Sequence, residues 1–95
     1  YTHPRYPGFP LTAPDVWRAK LFVEELAAWE RKGTFPNLVY VFLPADHTNG
    51  TRPGSPTPRA MVADNDLALG RVVEAVSRSK FWPKTCILVT EDDPQ

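Results

Sequence analysis

Leu38 to Leu43, Leu-Val-Tyr-Val-Phe-Leu, is an unbroken apolar and aromatic run that meets Pro44 and passes at once into Ala-Asp-His-Thr-Asn-Gly. A run so rich in β-branched and ring side chains, with no polar residue alternating in it, predicts a strand covered on both faces, as in a parallel sheet. Pro44 ends that strand. Asp46 and His47 then fall just beyond its carboxyl end, the position at which open α/β sheets bind ligands.

A second apolar run, Thr85 to Thr90, Thr-Cys-Ile-Leu-Val-Thr, reads as another short strand. Between the two lies a helical pattern over residues 59–79, with Val62, Leu69, Val72, Val73 and Val76 as its apolar stripe. Strand, long connection, helix, strand is a βαβ unit, and such units are parallel with a right-handed crossover. The expected fold class is therefore α/β, with the order helix, strand, helix, strand. Both strands then end at one sheet edge, about 4.8 Å apart if they are neighbours, and that edge carries Asp46, His47, Glu91, Asp92 and Asp93.

The first helix is read over residues 14–33. Ala19, Phe22, Val23, Leu26 and Trp29 recur at helical spacing, Thr12 offers an N-cap with Asp15 three residues on, and Gly33 supplies the stop after Arg31 and Lys32. Ahead of it, residues 1–13 hold Pro4, Pro7, Gly8 and Pro10 among aromatics, which predicts an extended packing arm. His3 and Tyr6 have side chains able to contact a ligand, and are read instead as part of that packing arm. Residues 44–58, punctuated by Gly50, Pro53, Gly54, Pro56 and Pro58, are read as an active-site loop, because long loops in compact domains tend to be functional. Arg52 in it is a candidate anion contact, set against a plain solvated charge. Gly70 inside the second helix is expected to mark close packing of helix on sheet. Asp64, Asn65 and Asp66 are read as capping and tethering residues near the first turns of that helix.

Charge excludes some functions. Lys plus Arg and Asp plus Glu are each 11 of the 95 residues, so no basic field points to nucleic acid or to an anionic membrane. No apolar run reaches the roughly 20 residues that span a bilayer. Cys86, the sole cysteine, rules out an internal disulfide and reads as a buried structural thiol. A chain of this length supports one small domain with a modest core. Starting on Tyr1 and stopping at Gln95 just after an acidic cluster, it reads as cut at both ends.

Carboxylates and an imidazole converging at one sheet edge repel one another, and a divalent cation between them removes that penalty. Oxygen and imidazole donors without thiolates suit Zn, Mn, Fe or Ca in an open site. Solvated acidic loops and helix caps are the competing explanation of the same residues.

Three ordered stretches carry a resemblance. Leu43–Gly50 (Leu-Pro-Ala-Asp-His-Thr-Asn-Gly), Met61–Gly70 (Met-Val-Ala-Asp-Asn-Asp-Leu-Ala-Leu-Gly) and Val89–Asp93 (Val-Thr-Glu-Asp-Asp) are similar to the phosphoesterase branch of the alkaline phosphatase superfamily, with its phospholipase C and acid phosphatase relatives. The resemblance runs from about Tyr6 onward. It implies an incomplete portion of a doubly wound catalytic domain, two divalent metals, a phosphate ester substrate and an extracytoplasmic or secreted location. It carries Asp92 and Asp93 over as ligands of one metal and Asp46 as a ligand of the other, with residues 91–95 as the metal-ligand loop. Asp66 and Gly70 match the helix motif Asp-x-x-x-Gly and take structural roles. His47 departs from the pattern, since many relatives place a histidine four residues after the first aspartate, where Gly50 stands here; ligating, hydrogen-bonding substrate and orienting Asp46 all stay open for it. Glu91, Asn49 and Arg52 are assigned beside the metals or against substrate. The superfamily's Ser or Thr nucleophile has no match here, and Thr48, Thr51 and Ser55 lack an adjacent base.

The expected function is metal-dependent hydrolysis of phosphate esters as part of a larger enzyme, the 95 residues being inactive alone and relying on the remainder of the domain or another chain. The alternative is a non-catalytic α/β interaction module that pairs through exposed sheet edges.

Overall fold

The structure, a computed structural model, describes residues 2–91. Its regular elements are two helices, α1 (Asp15–Lys32) and α2 (Pro58–Arg78), and two short 3₁₀ turns, Pro44–His47 and Trp82–Lys84. Each helix is bounded by local chemistry. On α2, Thr57 Oγ1 accepts from the Ala60 amide and Pro58 occupies the first turn, where its missing N–H is not needed. On α1, Gly33 takes the left-handed conformation at φ 74°, and its amide and that of Thr34 close on the Glu30 and Trp29 carbonyls. Thr12 does not cap α1. Pro14 holds that position, and its ring offers no acceptor to the first amides.

The two helices bury one face each. Ala19, Phe22 and Leu26 of α1 meet Ala68, Val72 and Val76 of α2 in one cluster. Burial of Phe22, Leu26, Val72 and Val76 contributes about 1.5–3 kcal/mol apiece before entropy is counted. Both stripes are rotated slightly from the spacing read above: Leu21 and Met61 are buried, while Val23 and Val62 are exposed. Aromatic rings close one end of the pair, Trp29 edge-on to Phe22 and Phe35, and Phe35 stacked on Phe81 at 4.9 Å. Glu30 ties the same end, accepting from the Lys80 amide at 3.0 Å and from the Lys80 ammonium.

The expected α/β fold class and its βαβ unit are not found: among the described residues there is no strand and no sheet. Residues 38–43 and 85–90 are irregular segments whose alternate side chains lie on the helices. Val39, Val41, Leu43 and Ile87 pack against the core cluster, while Leu38 (87%), Tyr40 (83%) and Leu88 (89%) stay exposed. The physical reason is that a strand is not a local structure. Its hydrogen bonds belong to a neighbour, and no backbone bond joins these two segments. With the sheet goes the expected role of Gly70, which is exposed, and a Cβ built on it meets nothing within 4 Å. Cys86 is likewise exposed rather than buried.

Open space at a helical glycine has a measurable consequence. Gly70→Ala is expected to stabilise the chain by about 0.5–1 kcal/mol through the unfolded state, a rise of several degrees in the thermal midpoint. A fall in that midpoint indicates that the glycine is needed after all.

Candidate functional site

The turn carrying Asp46 and His47 is positioned from below by a buried ion pair. Asp15 and Arg18, one turn apart on α1, are both fully buried and meet at 3.0 Å. Asp15 Oδ1 takes the Arg18 contact, and Oδ2 accepts from the Ala45 amide at 2.8 Å and from Asn65 Nδ2 at 3.0 Å. Arg18 donates onward to the Gly8, Pro10 and Ala13 carbonyls of the arm. Asn65 also donates to the Leu43 carbonyl at 2.7 Å, and Asp64 Oδ2 accepts from the Asp15 amide at 2.6 Å. Asp64 therefore caps α1 from the neighbouring helix. The entry to the loop is held at Leu43, Ala45 and, through the Tyr6 hydroxyl donating to the Phe42 carbonyl at 2.9 Å, at Phe42.

From that anchored base the chain turns sharply. Pro44–His47 forms a 3₁₀ turn, closed by the Thr48 amide on the Ala45 carbonyl, and Thr48 then lies at φ 59°, ψ 172°. That backbone region is occupied almost only by glycine, and a β-branched residue there costs on the order of 1–3 kcal/mol. Local bonds hold it: the Gly50 amide donates to Thr48 Oγ1 at 3.2 Å, His47 Nδ1 lies 3.0 Å from the Thr48 carbonyl, and the His47 amide donates to Asp46 Oδ1. Asp46 is half-buried and His47 exposed, its ring edge-on to Phe9 at 5.3 Å. Beside them the loop and the arm border an open cleft of about 450 Å³ lined by Phe9, Leu11, Thr12, Asn49, Arg52 and Ser55 among others. Arg52 is the charged group in that lining. The cleft thus offers a cation, hydroxyls and an amide beside an apolar wall.

The structure brings Asn49 and Arg52 together in the cleft and leaves Asp46 and His47 outside its lining, on the preceding turn. Glu91 is exposed, and Asp66 is exposed on α2. Asp92 and Asp93 lie outside the described residues. Among the described residues, no three of His, Cys, Asp and Glu gather so as to hold a metal ion. Asp46 and His47 present donors of suitable chemistry for a divalent cation but not a full set, so the described residues alone do not make up the expected metal centre. The anchoring residues Asp15, Arg18 and Tyr6 were not singled out by sequence as functional. Asn65 left a signal: it falls in register with Met61, Ala68, Val72 and Val76, a polar side chain on a core-facing stripe. No helix among the described residues is long and apolar enough to cross a membrane.

Compared with known protein families, with curated proteins and with solved structures, the chain matches none.

Two measurements check the anchoring. Asn65→Ala leaves the Leu43 carbonyl without its donor and is expected to lower stability by about 1–3 kcal/mol in chemical denaturation, whereas Asp66→Ala, on the exposed side of α2, stays within about 0.5 kcal/mol. Burial pushes the Tyr6 phenol from 10.0 up to about 12, against a lowering by Arg18. Folded Tyr6 holds its proton more tightly than the unfolded chain does, so the associated stability is complete below about pH 10 and is lost as pH rises toward about 12. Tyr6→Phe is expected to flatten the denaturation midpoint across that interval; an unchanged slope assigns it to another group.

Proposed function

We propose that this chain supplies part of the catalytic site of a phosphate ester hydrolase, with the loop after Pro44 facing the ester. One observation carries it. Thr48 holds a glycine-like backbone directly after Asp46 and His47, on a base tied to a buried ion pair, and strain maintained in this way is typical of turns that aim functional groups. The order of motifs, Leu-Pro-Ala-Asp-His-Thr-Asn-Gly followed by Asp-Asn-Asp-x-x-x-Gly and Thr-Glu-Asp-Asp, supports the same reading.

In this reading Asp46 is a metal ligand together with Asp92 and Asp93. Divalent metal, when bound, supplies charge neutralisation at phosphoryl oxygens and activation of a hydroxyl nucleophile. The chain's own residues bind and orient. Arg52 draws the ester anion into the cleft, Asn49 and Ser55 offer it hydrogen bonds, and Phe9 and Leu11 cover the apolar part of the molecule. His47 keeps its Nδ1 on the Thr48 carbonyl, which leaves Nε2 to face substrate or metal. Thr48 is a poor nucleophile because its hydroxyl already accepts from Gly50. The attacking hydroxyl therefore comes from polypeptide beyond these residues, and the 95 residues by themselves turn over no ester.

The test uses a longer polypeptide that includes this sequence, assayed on nitrophenyl phosphate mono- and diesters with Zn, Mn, Fe or Ca. Turnover is expected with at least one metal. Asp46→Asn and Asp92→Asn should each lower kcat/KM on the order of 100-fold, about 2.7 kcal/mol of transition-state stabilisation, and weaken metal binding by calorimetry, while Arg52→Ala raises KM more than it lowers kcat. No turnover with any metal, or full activity after Asp46→Asn, overturns the proposal.

A further inference from the structure

Phe9 carries a large apolar ring that takes no part in the helical core and is 52% exposed. A phenyl group on an irregular arm is ordinarily free to turn, but this one is pinned. Nη2 of the fully buried Arg18 donates to the Gly8 carbonyl at 2.6 Å and to the Pro10 carbonyl at 3.0 Å, so the backbone is held on either side of Phe9. The ring itself stacks on Phe42 at 6.3 Å, and the Phe42 carbonyl in turn accepts from the Tyr6 hydroxyl.

Two features meet at that ring. Phe9 lines the open cleft with Asn49 and Arg52, and it lies edge-on to the His47 imidazole, with ring centres 5.3 Å apart and planes at 85°. His47 is exposed and outside the cleft lining. Within its own turn the imidazole is held by Nδ1, 3.0 Å from the Thr48 carbonyl. The outer torsion of a histidine side chain is broad and roughly two-fold, so one such contact leaves the ring able to swing. An edge-to-face aromatic contact favours one orientation by a factor of about 2 to 12. With Nδ1 at the Thr48 carbonyl and one side of the ring against Phe9, the Nε2 edge is left a single direction.

We infer that Phe9 is a positioning residue for His47: the arm, clamped by Arg18, reaches to the loop and fixes the direction of an imidazole that its own turn leaves free to swing. The consequence for turnover rests on the ester-hydrolase reading; the contact itself does not. The same ring is a wall of the cleft, so one side chain links the surface that receives the apolar part of an ester to the imidazole beside it. Phe9→Leu keeps an apolar wall and removes the aromatic edge, whereas Phe9→Tyr keeps both, and the two variants therefore separate the roles.

Proton NMR of the 95-residue chain reads the contact directly. Cross-relaxation between the Phe9 ring protons and the His47 ring protons is expected, with the His47 resonances displaced by the phenyl ring current. Phe9→Leu should return them to the positions of an unstructured peptide while leaving the helical circular dichroism unchanged, since Phe9 adds nothing to the core cluster, and Phe9→Tyr should keep them displaced. In the longer polypeptide assayed for ester turnover, Phe9→Leu should lower kcat about 2- to 12-fold with KM within about twofold, and Phe9→Tyr should restore it. Absent cross-relaxation, or His47 resonances that Phe9→Leu does not move, would overturn the inference, as would an unchanged kcat for Phe9→Leu in an active polypeptide. A longer polypeptide that turns over no ester removes the ester reading alone, and the resonances still decide whether Phe9 holds the imidazole.

Discussion

The Asp15–Arg18 pair is the interaction on which the rest of the structure depends. Withdrawing two charges from water costs several kcal/mol per ion unless the lone pairs and N–H groups that remain are satisfied in place. Here three parts of the chain satisfy all but the Arg18 Nε–H, which is buried without a partner: carbonyls of the arm, the amide of Ala45, and α2, through the Asn65 side-chain amide and, at the Asp15 backbone, the Asp64 carboxylate. The pair therefore contributes less as an attraction than as a register mark. Sliding α1 against α2 by one turn would strand a buried carboxylate and a buried guanidinium together, so the ionic contact selects one arrangement of helices that hydrophobic contact alone would permit in several.

The polar loop inherits its geometry from that mark. Ala45 is held by Asp15, Leu43 by Asn65 and Phe42 by Tyr6, so the chain enters Asp46 from three fixed points. A strained Thr48 survives only on such a base, because a free loop would relax to an ordinary backbone conformation within the energy that the strain represents. Stability and loop geometry are coupled here. The groups that fix the helices are also those that fix the direction in which Asp46 and His47 point.

The helices were legible because helix formation is governed by neighbours three and four residues apart. Phe22, Leu26, Val72 and Val76 announce their shared face without any knowledge of what covers it. The strands were misread for the converse reason. Leu38–Leu43 has every local property of a buried strand, yet ladder bonds come from elsewhere in space, and the described residues do not bring residues 85–90 alongside. Gly70 was misread as a consequence of that same error, since close packing on a sheet requires the sheet. The site was legible in part: the Asp46–His47 turn and Arg52 stand out by type and position, while the buried pair beneath them does not, because Asp15 and Arg18 look like any charged residues in a first helical turn.

By itself, then, the sequence determined two amphipathic helices, a proline-punctuated loop between them and an acid–imidazole pair at the start of that loop. Each is written in spacing or in the fixed geometry of proline and glycine. Tertiary structure alone decided that Asp15 and Arg18 face inward, that Asp64 caps a helix other than its own, and that Val39 and Val41 rest on helices rather than inside a sheet. Those outcomes depend on which groups lose water together, and that is settled only when segments distant in the chain meet.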